Sequence, residues 1–341
     1  MRNVQSESGF SLAELLVATA LMMIISGIVT TAVMQMTNSQ KTIWNRTEMH
    51  SGIRGATELL QQEVGQAGRI SLPGTITLDD AGPGVTLVDV THSGCVASAP
   101  GTNTVQKTLD TSSTTEVATR GIYAAAGPPA AYMLMTTLDG PASETIKVAS
   151  VDSATQISAC FTKEHSPGTV LTPMGAFATG IVPNAGIVNA SNASKLKLYG
   201  DINSDGKMVY VEYMCDTGAG KLYRQVWDFD FAGAKVAPTD SDILLGNIIA
   251  NPGATDCFTY QTTQLTVQGT VFTFVLDVAV TLTVETEEID PITRQKQTET
   301  KALLNVSPRN VFNAWMLASI GYTDRIQSTP TTITSLLAPV S

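Results

Sequence analysis

The chain has 341 residues, enough for one large or two small globular units beyond any membrane segment. Charged residues are only 15% of it and apolar residues an ordinary 43%, a balance that suits an exported β-rich domain better than a cytosolic helical enzyme. The net charge of −10, from 20 basic and 30 acidic residues with no Lys/Arg cluster, excludes a non-specific grip on nucleic acid by the whole surface.

A polar leader, MRNVQSESG, ends at Gly9. From Phe10 to Met36 the sequence FSLAELLVATALMMIISGIVTTAVMQM carries one charge, Glu14. As a helix rising about 1.5 Å per residue it spans about 40 Å, more than the roughly 30 Å of a bilayer core. No proline breaks it, and Gly27 is tolerated in a membrane helix. A secretory signal is cut after its apolar stretch, whereas the better candidate here lies before it, at Gly9–Phe10. A carboxylate at position 14 costs several kcal/mol in lipid unless it is paired. Either it snorkels to the headgroups or it meets a cation.

The segment Gly9-Phe10-Ser11-Leu12-Ala13-Glu14 resembles the prepilin processing motif of type IV pilins and type II secretion pseudopilins. The resemblance implies that a membrane-embedded prepilin peptidase cuts after Gly9 and methylates the new terminus, Phe10. Residues 1–9 would be the leader and residues 10–36 a transmembrane half-helix that stays in the inner membrane. It also implies that Glu14 meets the amino terminus of a neighbouring pilin during assembly, where two charges in an apolar phase neutralise each other. Basic and acidic residues nearly balance on both flanks, so the orientation, with a periplasmic domain before assembly and a pilus or cell-surface place after it, rests on the resemblance.

Residues 37–68 continue the helix as an amphipathic half. Apolar residues recur at Ile43/Trp44, Met49, Ile53, Ala56, Leu59/Leu60, Val64 and Ala67, a spacing that lays one face against a sheet. Gly68 and Pro73 end it, giving a rod of roughly 85 Å from residue 10. Gly52, Gly55 and Gly65 weaken the helix and are candidate bends.

Residues 69–310 read as a β-rich extracytoplasmic domain, so the fold class expected is α+β, a long helix packed on an antiparallel sheet. Residues 71–190, rich in Ser, Thr, Ala, Gly and Pro with a loop at Pro128-Pro129, are expected to be a large loop-rich insertion. Within the domain, Asp201-Ile202-Asn203-Ser204-Asp205-Gly206 followed by Glu212 fits D-x-[DN]-x-[DN]-G-x5-E. Oxygen ligands from Asp201, Asn203, Asp205, the backbone of Lys207 and the carboxylate of Glu212 would converge on Ca2+, with Gly206 allowing the turn. The flanks look like strands, making this a hairpin tip, and the alternative is an Asx turn without metal. From Phe272 to Val284 strict alternation predicts a long strand, followed by a charged turn at 285–297 and a second strand from Thr298 to Val306. Val306-Ser307-Pro308-Arg309-Asn310-Val311 resembles the Arg-Asn ending of PilW-type minor pilins. Residues 311–341 are expected to form a short helix and a flexible tail.

Cys95, Cys160, Cys215 and Cys257 lie beyond the membrane segment without a CxxC pair. Two disulfides are expected; three pairings exist, and the sequential pairs Cys95–Cys160 and Cys215–Cys257 are favoured. The three histidines are scattered, there is no G-x-S-x-G and no phosphate-cradling Gly loop, so no enzyme is expected. The leading expectation is a PilW-type minor pilin that primes or caps a type IV pilus, with other minor and major pilins as partners. A type II secretion pseudopilin of the GspJ-like kind is the close alternative, and a pilus-displayed adhesin or DNA-uptake module the one from another class.

Overall fold

One helix, α1, runs unbroken from Leu12 to Gln66, through all the glycines that marked candidate bends. The fold is that of a computed structural model, which describes residues 11–79, 105–112, 116–124, 132–267 and 269–338. It is α+β, with antiparallel strands dominating everything after α1.

The chain divides into two compact units. One runs to Gly52 and takes in Glu285–Glu299; the other comprises Ile53–Val284 and the chain from Thr300 onward. The boundary therefore falls inside α1 and not at residue 68, because the buried face of the helix begins at Ile53. In the first unit, Arg46 donates to the Gln297 side chain and His50 pairs with Glu299. There the 285–299 turn is closed on itself: Asp290 accepts from the backbone N–H groups of Ile292 (2.7 Å) and Thr293 (3.0 Å).

In the second unit, β1 (Ile76–Leu78), β2 (Val105–Thr111), β3 (Leu134–Thr137), β4 (Thr145–Ser153), β5 (Gln156–Ala159) and β6 (Val170–Pro173) close into a barrel in the order β1-β2-β5-β4-β3-β6. This corrects the expectation of a loop-rich insertion. The physical reason is that small residues can still close a sheet when a few large ones fill its inside: Ile76, Leu78, Leu109, Met135, Ile146, Val148 and Ile157 all sit in one buried cluster.

A second sheet, in the order β11-β10-β9-β8, is built from β8 (Lys195–Gly200), β9 (Val209–Asp216), β10 (Lys221–Asp228) and β11 (Ile243–Gly246). A third joins β12 (Ile248–Ile249), β13 (Phe258–Val267), β14 (Thr270–Glu285) and β15 (Thr298–Val306), with β14 at its centre. The short β7 (Ala176–Phe177) pairs in parallel with β16 (Ile326–Gln327).

Residues 309–338 are not a tail. After Pro308, α2 (Arg309–Ser319) buries Val311, Ala314 and Ala318, and after Pro330, α3 (Thr331–Leu336) buries Ile333 and Leu336. Ile333, Leu336 and Leu337 join the cluster that fills the barrel. Between the helices, the buried Gln327 side chain accepts from Tyr123 Oη (2.9 Å) and Leu134 N–H (2.9 Å) and donates to the carbonyls of Leu134 and Met174 (both 2.8 Å). These four bonds satisfy the buried amide and tie this segment to β3 and to the residue that follows β6.

Candidate functional site

The first turn of α1 is closed by its own side chains. Ser11 N–H and Ser11 Oγ both donate to Glu14 Oε2 at 3.0 Å, and Glu14 N–H donates to Ser11 Oγ at 3.3 Å. This reciprocal pair is a capping box, the S-x-x-E arrangement that satisfies two orphan donors of a helix N-terminus. Glu14 is thus positioned by the residue three before it. The cleavage and methylation residues Gly9 and Phe10 lie outside the described residues.

Behind the cap, Leu12, Leu15, Leu16, Val17, Met22, Ile24, Ile28 and Val33 are all more than half exposed. The hydroxyls of Thr19, Thr30, Thr31 and Thr37 each donate to the carbonyl four residues back, so each of these hydroxyls has its donor satisfied within the helix. The helix is long and apolar enough to be a membrane span or a signal sequence, and no part of its most apolar window is buried.

The far end of α1 is seated on the second sheet. Ile53, Ala56, Leu60 and Val64 are at most 2% exposed, each large side chain contributing about 1.5–3 kcal/mol by burial. In the same stripe Glu63, a carboxylate 4% exposed, pairs with Arg224 of β10 and accepts from Tyr213 Oη of β9. Burial pushes the Tyr213 phenol up, so it remains a donor. The helix is terminated from outside: Gly68 N–H donates to the Tyr199 carbonyl (2.8 Å), and Asn310 Nδ2 donates to the Gln66 carbonyl (3.1 Å). Gly68 takes φ +79°, and a Cβ there would fall 2.7 Å from Val311 Cγ2. The Arg-Asn ending noticed in the sequence thus supplies a C-terminal cap for α1.

The oxygen-rich loop follows β8 directly. Asp205 N–H donates to Asp201 Oδ1 (3.1 Å) and Lys207 N–H to Asp205 Oδ1 (2.9 Å), while Gly206 turns the chain at φ +85°. Asn203 and Asp205 are exposed and Asp201 is buried. Glu212 is not brought to this loop. It lies on β9 opposite Lys197 of β8, where the strand directs its carboxylate to Lys197 and Lys235 and to Tyr210 Oη. Held by these partners, Glu212 is not the twelfth-position ligand that the loop pattern assigned to it; among the described residues no group of three or more His, Cys, Asp or Glu is arranged to hold a metal.

Cys215, near the end of β9, and Cys257, just before β13, form a disulfide. Cys160 is disulfide-bonded as well, and Cys95 lies outside the described residues.

Two buried ionic clusters carried no signal in the sequence. His165, its ring fully buried, sets Nδ1 2.6 Å from Asp139 Oδ2 and Nε2 2.8 Å from Glu144 Oε1, so that each ring nitrogen faces a carboxylate oxygen. Lys197 and Lys235 share Glu212, and Lys235 Nζ lies over the rings of Tyr210 (5.6 Å) and Trp227 (5.4 Å). Both clusters join residues far apart along the chain, and no local spacing marks them. No protein-family model, no curated protein and no solved structure matches the chain.

Proposed function

We propose that this chain is a non-catalytic, pilin-like subunit, a minor pilin that primes or caps a type IV pilus. What carries the reading is the state of α1: an apolar stretch that is exposed among the described residues, bearing a carboxylate at its start, continuous with a stripe that seats in a β domain. A helix with that surface needs lipid first and other helices of its kind afterwards. The resemblance of residues 9–14 to the prepilin motif supports the order of events. The peptidase cuts between Gly9 and Phe10 and methylates Phe10, and the helix remains in the inner membrane with the β domain in the periplasm.

Assembly then draws on Glu14. Among the described residues its carboxylate engages Ser11 alone, and a positive amino terminus from an adjoining subunit would be its further partner. The polar contacts within the first turn lower the cost of holding the charge in lipid until that partner arrives. The other pilins are the partners in this reading, and the pilus or cell surface is the final location.

Mass spectrometry of the chain purified from cells that contain a prepilin peptidase is the direct test. The expected mature terminus is N-methylated Phe10. A terminus at Met1, or one beyond the apolar stretch, would overturn the reading.

A further inference from the structure

The loop after β8 leaves a buried carboxylate short of partners. Asp201 is 0% exposed. Its Oδ1 accepts the Asp205 N–H, but Oδ2 accepts no hydrogen bond and meets Arg69 Nε only at 3.5 Å. That is well beyond the roughly 2.7–2.9 Å of a charge-assisted bond. A buried carboxylate with an unbonded oxygen is costly, and a hard cation relieves that cost where oxygens converge.

We propose that residues 201–207 form a calcium site made of the Asp201 and Asp205 carboxylates, the Asn203 amide oxygen and the backbone carbonyl of Lys207, with water completing the shell. The hydrogen bond from Asp205 N–H ties Asp201 Oδ1 to the loop that carries the exposed Asn203 and Asp205, while Oδ2 stands beside Arg69. The Lys207 ammonium is drawn away to Glu116 Oε1 at 2.9 Å, so its charge is engaged outside the loop. Glu212 takes no part, since its carboxylate belongs to the lysines. Two carboxylates in place of three set a weak site, with a Kd of about 10⁻⁴–10⁻³ M, the range of extracytoplasmic calcium modules.

The site is joined to the end of α1. Asp201 N–H donates to the Arg69 carbonyl (2.8 Å), and Gly200, at φ +134°, packs where a Cβ would lie 2.7 Å from that oxygen. The Arg69 guanidinium bonds Ser204 Oγ (2.7 Å) and stands beside Asp201, as a cation competing for the same loop. Its side chain is 41% exposed, so ion binding would have to displace it toward solvent. Calcium would thus stiffen the segment through which α1 enters the barrel unit.

Isothermal titration of the full chain in detergent with CaCl2 tests this, alongside melting curves. One site saturating near millimolar calcium is expected, with a rise in melting temperature. Asp205→Asn, at an exposed position that leaves the core intact, should weaken binding by about tenfold or more, as should Asp201→Asn. Arg69→Gln should tighten it, and calcium should restore any stability that this variant loses. If Arg69 alone neutralises Asp201, no binding heat appears up to about 10 mM calcium, and Arg69→Gln melts lower whether or not calcium is present. Either result overturns the proposal, as does undiminished binding by Asp205→Asn.

Discussion

Glu212 shows how a single side chain can be assigned by burial against sequence pattern. Its carboxylate lies 3.2 Å from Lys197 Nζ, pairs with Lys235 Nζ and accepts from Tyr210 Oη at 2.6 Å, and the two lysine side chains are 5% and 3% exposed. Two ammonium groups around one carboxylate make it the member whose loss is felt most. Glu212→Gln is expected to lower the unfolding free energy in urea by about 3 kcal/mol or more, equally with and without calcium. A loss below about 1 kcal/mol would mean that water reaches the cluster. Glu14 offers a second contrast at this scale. Gln is as able as Glu to complete a capping box, but it has no charge. Glu14→Gln should therefore keep the helical content of α1 and abolish incorporation into pili, measured by immunoblot of sheared filaments. Normal incorporation of Glu14→Gln would assign Glu14 to capping alone.

At the scale of elements, the two ends of α1 are closed by different means, Ser11 and Glu14 at the start and Asn310 from α2 at the finish. Asn310→Ala leaves the Gln66 carbonyl without its donor, which costs about 1–2 kcal/mol. The effect is expected as faster hydrogen exchange in the last turn of α1 with little change in β14. Equal acceleration in both would show that Asn310 supports the whole unit and not the helix end. The elements also explain what could be read ahead of the structure. In β14, Val278, Val280, Leu282 and Val284 are buried at intervals of two, an alternation visible in the chain; nearer its start the pattern breaks, with Phe274 and Val275 both buried and Leu276 half-buried beside a shift in register with β13. The 298–306 strand follows from it and has those bounds. In the barrel, by contrast, β4 and β5 each turn only two residues inward, Ile146 and Val148, then Ile157 and Ala159. So short a run, mixed with Ser, Thr and Ala, looks the same as a loop. The buried helix α3 was hidden for another reason. Ile333 and Leu336 gain their meaning from a barrel some 160 residues earlier in the chain, and the sequence around them, TTITSL, carries no such mark. The loop at 201 was legible to the extent that its oxygens are consecutive. Its supposed twelfth residue was not, because strand register and not loop spacing decides where Glu212 points.

For the whole molecule, the consequence of its buried ionic clusters is a dependence on acid. Burial raises the Asp139 carboxyl, and the hydrogen bond and charge of His165 outweigh it, holding the group below the usual carboxylate range. Burial likewise raises Glu212, and the bonds from Lys235 and Tyr210 with the charge of Lys197 outweigh it in the same direction. A carboxyl whose pKa is depressed by folding adds stability that is complete above its unfolded value, about 4, and is lost as pH falls through the lower folded one. The melting temperature should therefore be level from pH about 7 to about 5 and fall progressively below about 4. A net charge of −10 at neutral pH means that acid also changes long-range repulsion, so the fall alone does not identify its source. His165→Asn separates the two effects. It removes the partner that depresses Asp139 and alters the long-range charge by at most a single group while every carboxylate is kept, so it should lower the neutral plateau and flatten the acid slope. Melting curves of the detergent-solubilised full chain, followed by circular dichroism across that pH range, supply the comparison. A wild type that keeps its neutral melting temperature at pH about 3, or a His165→Asn slope as steep as that of wild type, would remove Asp139 and its histidine from the account of acid stability.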